Sequence, residues 1–554
     1  MSTPFLSRRF SSRPSPWVVL SLALCLLVAL PVLAVCANLL TPSLEVWRHL
    51  AATVLPSYVG NSLLLMLGVG LGVGIGGVGA AWLVTMCRFP GSRALEWALL
   101  LPMAMPAYVV AYTYTGLTDF AGPLQSGLRA LFGWRSARDY WFPELRSLGG
   151  AVWVMTMVLY PYVYILARAA FLEQSVCVLE ASRTLGRRPW RAFLEVALPL
   201  ARPAVAAGIA LALMETLNDF GTVHYFAVDT FATGIYRTWM GMGQPAVAGQ
   251  LGALLMLFVL ALILVERLSR GAARAHHTTT RYRSLPRIRL GRGRGWLALA
   301  FCAAPVVLGF AVPAATLAAW SLASEVTADD FLTLAGNSLF LAAVTGALAV
   351  AVALVLGYAR RLHPTRPVRL AVRAASLGYA IPGGVIAVGV LVPLTLWDRA
   401  LSGFLERHFG LSVGLLLTGS VAALIYAYLV RFLAVSANTV EASLAKVTPG
   451  MEAAARTLGL GPLATLRRVH APIIRGSLLS AALLVFVDVM KELPATLIIR
   501  PFNFDTLATR TFTLASDERL ADAALPALAI VAVGLLPVVL LSRAIARSRP
   551  GDTP

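Results

Sequence analysis

Residues 180–186 read Glu180-Ala181-Ser182-Arg183-Thr184-Leu185-Gly186, and Leu198-Pro199 follows. A second copy reads Glu452-Ala453-Ala454-Ala455-Arg456-Thr457-Leu458-Gly459, and Ala471-Pro472 follows. In each copy the proline comes 13 positions after the glycine, and Ala181 and Ala454 lie 273 residues apart. An alanine-rich stretch favours a short helix. A glycine then ends it or permits a sharp turn, and a proline fits the first turn of the helix that follows. The pattern predicts a short helix, a bend and a second helix, a piece that docks into a cleft on a partner. Two copies predict a duplicated architecture.

Further matches fix the register of the duplication. Gly60-Asn61-Ser62-Leu63 recurs as Gly336-Asn337-Ser338-Leu339. Asp229-Thr230-Phe231-Ala232-Thr233 recurs as Asp505-Thr506-Leu507-Ala508-Thr509, again 276 residues on. The surrounding composition is that of a membrane protein. Of 554 residues, 58% are hydrophobic and 13% charged, with a mean hydropathy of +0.77. Soluble domains carry roughly 25% charge, so a closed water-soluble enzyme is excluded. The formal charge of +20 rests on 46 basic residues, of which only Lys446 and Lys491 are lysine. They sit between apolar runs, which places them at a membrane surface rather than on nucleic acid. The five cysteines form no CxxC pair, and the four in or beside apolar stretches behave as small hydrophobes.

A bilayer core needs roughly 20 apolar residues per helix. That window predicts twelve spans near 17–40, 61–86, 94–117, 148–168, 200–226, 247–265, 295–321, 337–359, 374–397, 411–430, 474–499 and 522–542. Residues 17–40 are too long for a signal-peptide core and read as a retained helix. Loop segments on one side (1–16, 87–93, 168–203, 266–294, 360–373, 431–475 and the C-terminal tail) hold 34 of the 46 basic residues. The positive-inside rule then puts both termini in the cytoplasm. Six spans per half give both halves one orientation, as parallel repeats. The expected organisation is a first six-helix half (1–265), a basic cytoplasmic linker (266–294) read as a solvated tether, and a second six-helix half (295–554).

The duplicated loop resembles the coupling loop of importer-type ABC permeases, E-A-A-x-x-x-G followed by Pro, which in that family docks on the ATPase subunit. Glu180, Ala181, Gly186 and Pro199 take the motif positions in the first half. In the second, Glu452 stands one residue early and Ala453 occupies the motif's glutamate position, with Gly459 and Pro472 in place. The chain carries no Walker A lysine: Lys446 follows Ala-Ser-Leu-Ala and Lys491 follows Asp-Val-Met. The resemblance implies a type I importer permease fold, with ATP bound by two copies of a separate cytosolic subunit and no cofactor in this chain.

Ionisable residues inside a span are costly and usually functional. The fifth span carries Glu215 and Asp219, and its counterpart carries Asp488 and Glu492. Spacing of four puts each pair on one helical face, so four carboxylates facing a shared axis would attract a hard cation. Asn218 aligns with Lys491 and breaks the symmetry. Two readings stand: a translocation path, or a structural role in which Asp488 or Glu492 pairs with Lys491 or Arg500 while Glu215 and Asp219 hydrogen-bond to neighbouring helices. Tyr160, Tyr162, Tyr164, Tyr426 and Tyr428 read as interfacial or packing residues, and His224 as a packing or capping one rather than a metal ligand. The glycines between Gly68 and Gly79 read as a tight helix contact.

Residues 212–221 and 488–509 resemble the fused permeases of bacterial ferric-iron importers. That resemblance implies Fe(III) as substrate, a periplasmic iron-binding protein outside and residence in the inner membrane. Thiamine, a polyamine or another small solute on the same architecture, or a 12-helix secondary transporter without the ATPase, remain alternatives at this point.

Overall fold

A computed structural model describes residues 15–173, 189–270, 287–375 and 378–547. Among these residues eleven helices are long and apolar enough to cross a bilayer, and counting one bent pair as a span gives twelve. The first half has Pro16–Leu40, Leu55–Met86, the bent pair Ser92–Ala104 and Ala107–Phe132, Leu148–Leu172, Trp190–Asn218 and Pro245–Ser269. The second has Arg292–Ser321, Ala328–Leu362, Gly383–Phe409, Val421–Leu444, Pro462–Met490 and Leu520–Leu540. These are called spans one to twelve. Among the described residues the fold is all-α apart from one pair of two-residue strands.

Five predicted spans change. Span three breaks by 91°, because Pro102 and Pro106 interrupt it and Pro106 starts the helix Ala107–Thr118 afresh. Span five ends at Asn218, and span eleven at Met490. Spans nine and ten lie further along the chain than their apolar windows. Pro382 opens span nine, left-handed Gly410 closes it, and Ser420 caps the start of span ten by accepting the N–H of Ala423. A helix continues past its apolar run wherever caps and polar faces allow.

The duplication recurs at atomic level. Asn61 donates to the carbonyl of Asp229 at 2.9 Å, and Asn337 to the carbonyl of Asp505 at 3.0 Å. Thr230 and Thr233 form a capping box, as do Thr506 and Thr509. The two halves also trade their first helices. Span one packs on span nine and buries Cys25 and Val28 in the second-half core. Gly389 lies so close to the Pro31 carbonyl that a Cβ would stand 2.3 Å away. Span seven reciprocates by burying Cys302 and Leu317 in the first-half core.

Within the first half, spans two and four meet along the glycines. A Cβ at Gly68, Gly72 or Gly77 would come within 2.8 Å of Val152, Thr156 or Val163, so tight packing is the role of those three. Leu64, Leu67, Leu71 and Ile75 on span two stay exposed, as a lipid-facing stripe does. The linker is more than a solvated tether, because its end is built in. Ile288–Arg289 pairs in parallel with Cys87–Arg88, and Arg287 meets Glu96 at 2.8 Å beside the buried Arg168–Glu96 pair at 3.0 Å. Residues 271–286 lie outside the described residues.

Candidate translocation cavity and coupling loops

Spans five and eleven both stop in the middle of the protein, and the stops are built alike. After Asn218 the backbone of Asp219 turns extended, and a short helix Gly221–Tyr225 follows. The Asp219 carboxylate accepts the N–H of Thr222 at 2.8 Å and of Val223 at 3.3 Å, and the Thr222 hydroxyl at 3.0 Å. After Met490, Lys491 to Leu493 form the break and Pro494 starts the helix Pro494–Ile499. Here Glu492 accepts the N–H of Ala495 at 3.0 Å. Each carboxylate satisfies donors that a helix start leaves open. Asp219 and Glu492 therefore stand beyond their helices, and the single-face geometry expected from spacing of four does not hold.

The breaks bring all four acids together nevertheless. Glu215, Asp219, Asp488 and Glu492 line one cavity of about 140 Å³, with Asn218, Lys491, Arg431 and the tyrosines 108, 162 and 379. Four carboxylates face two cations there. Among the described residues, no group of three or more His, Cys, Asp or Glu side chains is placed to hold a metal ion. The walls are thus acidic without forming a chelating cage. The Tyr108 hydroxyl, buried and without a hydrogen-bond partner among the described residues, adds a neutral oxygen to this wall.

Charge is distributed unevenly. Glu492 meets Arg431 at 2.7 Å, with both side chains about 5% exposed or less. Neither Glu215 nor Asp219 has an ion pair among the described residues. Lys491 donates to the carbonyl of Met103 at 3.5 Å, and Arg500 pairs with Asp505 instead of with Glu492. Arg431 directly follows the apolar window 411–430, so by sequence it falls among the loop charges. The structure places it inside span ten. Its alignment, 273 residues after apolar Val158, was the available signal.

The tyrosines do not act as interfacial anchors as a group. Tyr160 and Tyr164 are fully buried and donate to the carbonyls of Leu99 and Glu96 at 2.7 and 3.0 Å. Tyr162 lines the cavity. Tyr428 shares a 2.6 Å hydrogen bond with Thr496, and Tyr426 donates to Leu27 at 2.6 Å. His224 packs among Phe220, Tyr236 and Phe512.

In the second coupling loop, helix Pro449–Thr457 ends at Gly459, whose φ is +77°. The N–H groups of Leu458, Gly459 and Leu460 turn back to the carbonyls of Ala454, Arg456 and Ala455, the αL closure that glycine allows. Pro472 sits in the first turn of Ala471–Met490. Glu452 turns inward: it meets Arg361 at 2.5 Å and buried His470 at 3.2 Å. Arg361 also donates to the carbonyls of Leu444 and Val447. The loop is thereby clamped to the ends of spans eight, ten and eleven. Ala453, in the motif's glutamate position, offers no charge to a partner. In the first loop Pro199 occupies the first turn of Leu198–Asn218, while Glu180, Ala181 and Gly186 lie outside the described residues.

Residues 68–274 match the family described as binding-protein-dependent transport system inner membrane component. Over 543 residues the chain is 26% identical to an Fe(3+)-transport system permease protein of Haemophilus influenzae, covering 96% of this chain and 99% of that relative. It is 28% identical over 201 residues to the molybdenum transport system permease protein of Escherichia coli, covering 35% of this chain and 84% of the relative. It is 29% identical over 223 residues to the sulfate transport system permease protein of the same organism, covering 39% and 77%. The resemblance to importer-type ABC permeases runs nearly end to end, in the fused form.

Proposed function

We propose that this chain, a permease of the ABC-importer type, carries ferric iron across the bacterial inner membrane with both termini in the cytoplasm. The observation that carries the iron reading is the cavity, where four carboxylates face two cations. An acidic passage focuses field lines on cations and repels anions, which disfavours sulfate as substrate. The relative matched along its full length supports the same reading. A periplasmic binding protein would deliver the ion to the outer face. Two cytosolic ATPase subunits would engage the loops around Gly186 and Gly459. ATP binding outside this chain closes those subunits and moves the loops. The two halves then rock about the cavity, a shift between two states of different affinity for the ion.

The test is radiolabelled Fe(III) uptake by iron-starved cells lacking the chain, with and without its restoration. A third strain carries the Gly186→Val and Gly459→Val pair. Uptake that returns with the native chain and fails with the well-expressed pair supports both iron and ATPase coupling. Uptake indifferent to the chain removes iron, and cationic organic solutes such as thiamine and polyamines are tested next.

A further inference from the structure

Arg431 lies where a transported cation would pass. We propose that it is a tethered cation standing in for the transported ion on Glu492, and that it thereby latches the two halves together through Gly383 and Asn218. The proposal rests on the cation reading above.

Three observations carry it. First, the Arg431–Glu492 pair is buried at 2.7 Å, yet the guanidinium Nε has no hydrogen-bond partner among the described residues. A buried arginine usually spends its donors in a fixed network. This one is held by its pair with Glu492, and Glu215 and Asp488 line the same cavity. It has other carboxylates to move to.

Second, the pair sits against the first residue of span nine. A Cβ on Gly383 would stand 2.3 Å from Arg431 Nη1 and 2.6 Å from Glu492 Oε1. A side chain there would push the ends of Arg431 and Glu492 aside, so the pair in its present position depends on glycine. Third, the N–H of that same Gly383 donates to Asn218 Oδ1 at 2.7 Å, and Asn218 is the last residue of span five in the other half. A contiguous path therefore runs from the ion pair, through one glycine, to the end of the opposite half's helix.

A cation entering the cavity competes with Arg431 for Glu492. It binds better to the arrangement in which Arg431 has withdrawn, and that difference in affinity is what shifts the equilibrium. Glu492 also caps Pro494–Ile499 through Ala495, so its movement is passed on to the following helix. Arg431 acts as a positioning residue, and an empty cavity stays latched.

The experiment uses the complete complex with its ATPase and binding protein in proteoliposomes, and reads ATP hydrolysis without any substrate. Arg431→Gln is expected to raise this basal rate about fivefold or more, the low end of coupling between sites. Stimulation by the loaded binding protein shrinks accordingly, and Arg431→Lys restores much of the latch. A purely structural arginine would lower the yield of complex without raising basal hydrolysis. Removing one partner of a buried pair can unfold a protein, so Asn218→Leu, which leaves every charge in place, is run beside it with the same rise expected. Basal hydrolysis at the wild-type level in assembled Asn218→Leu complex overturns the latch. Ferric uptake by the wild type is read in the same vesicles; its absence counts against the iron reading, whereas the substrate-free rate decides the latch separately.

Discussion

Asp219 and Glu492 occupy equivalent positions in the two halves and do the same local work, each accepting backbone N–H groups at the start of a short helix. Their electrostatic surroundings differ. Glu492 faces Arg431, whereas on the side of Asp219 the position aligned with Arg431 is apolar Val158, which lines the same cavity. The backbone break is a feature of the duplicated scaffold, and the charges upon it have diverged. One side of the cavity is neutralised from within, and on the other Glu215 and Asp219 have no ion pair among the described residues. Symmetry explains the shape, and its loss explains the polarity.

The largest expected effect comes from removing the open side. Glu215→Gln with Asp219→Asn should lower cation uptake at limiting substrate about tenfold or more, since one unit charge at 4 Å is worth about 4 kcal/mol near a protein surface. The amides keep the shape and the capping acceptor, so assembly followed by size-exclusion chromatography should be unchanged. Asp488→Asn, on the side already holding two cations, should cost less. Equal losses on both sides would break the comparison.

A second test makes the two sides alike. Val158→Arg would offer Asp219 the kind of partner that Glu492 already has. Uptake should fall about fivefold, within the range of electrostatic coupling between sites, and adding Asp219→Asn should cost little more. Additive losses in the double variant would mean that the new arginine does not reach Asp219.

The duplicated loops extend the contrast away from the cavity. Gly459 has φ at +77° and open space around its Cα, so Gly459→Ala strains only the backbone, at about 1–2 kcal/mol. A modest fall in the thermal midpoint of the complex is expected, with the clamp of Glu452 by Arg361 and His470 intact. Uptake lost in proportion to the fall would assign the glycine to folding; uptake lost far beyond it would assign it to docking.

How much of this was legible in the sequence follows from the range of each interaction. The repeat, the loop motif and the four acids were legible because each is a local word repeated at a fixed offset. The exchange of spans one and seven between halves was not, since Gly389 against Pro31 and Gly309 against Met157 are contacts between distant stretches whose composition says only "apolar". Arg431 was hidden by its position just past an apolar window. The break after Met490 had Pro494 as a signal. The break after Asn218 had only Gly221, which a helix tolerates.

The smallest effect is expected where the halves differ by one donor. Asn218 accepts the N–H of Gly383, which opens span nine after Pro382. Its counterpart Lys491 is a donor only, so it turns to a carbonyl, that of Met103, one residue before Ala104 ends its turn. The equivalent of Gly383 is Ala107, which likewise opens a helix after a proline. Lys491→Asn would present an amide oxygen to the N–H of Ala107 and make the two cross-half contacts alike. The exchange removes one positive charge from the acidic wall and replaces a 3.5 Å contact with a hydrogen bond worth about 1 kcal/mol. These changes oppose each other for transport, one favouring cation entry and the other favouring the closed arrangement. Maximal uptake should therefore move by about twofold or less, while the half-saturating concentration falls because the wall is more acidic. A half-saturating concentration that rises would mean Lys491 helps the ion through, and the division of the cavity into a filled and an open side would have to be redrawn around it.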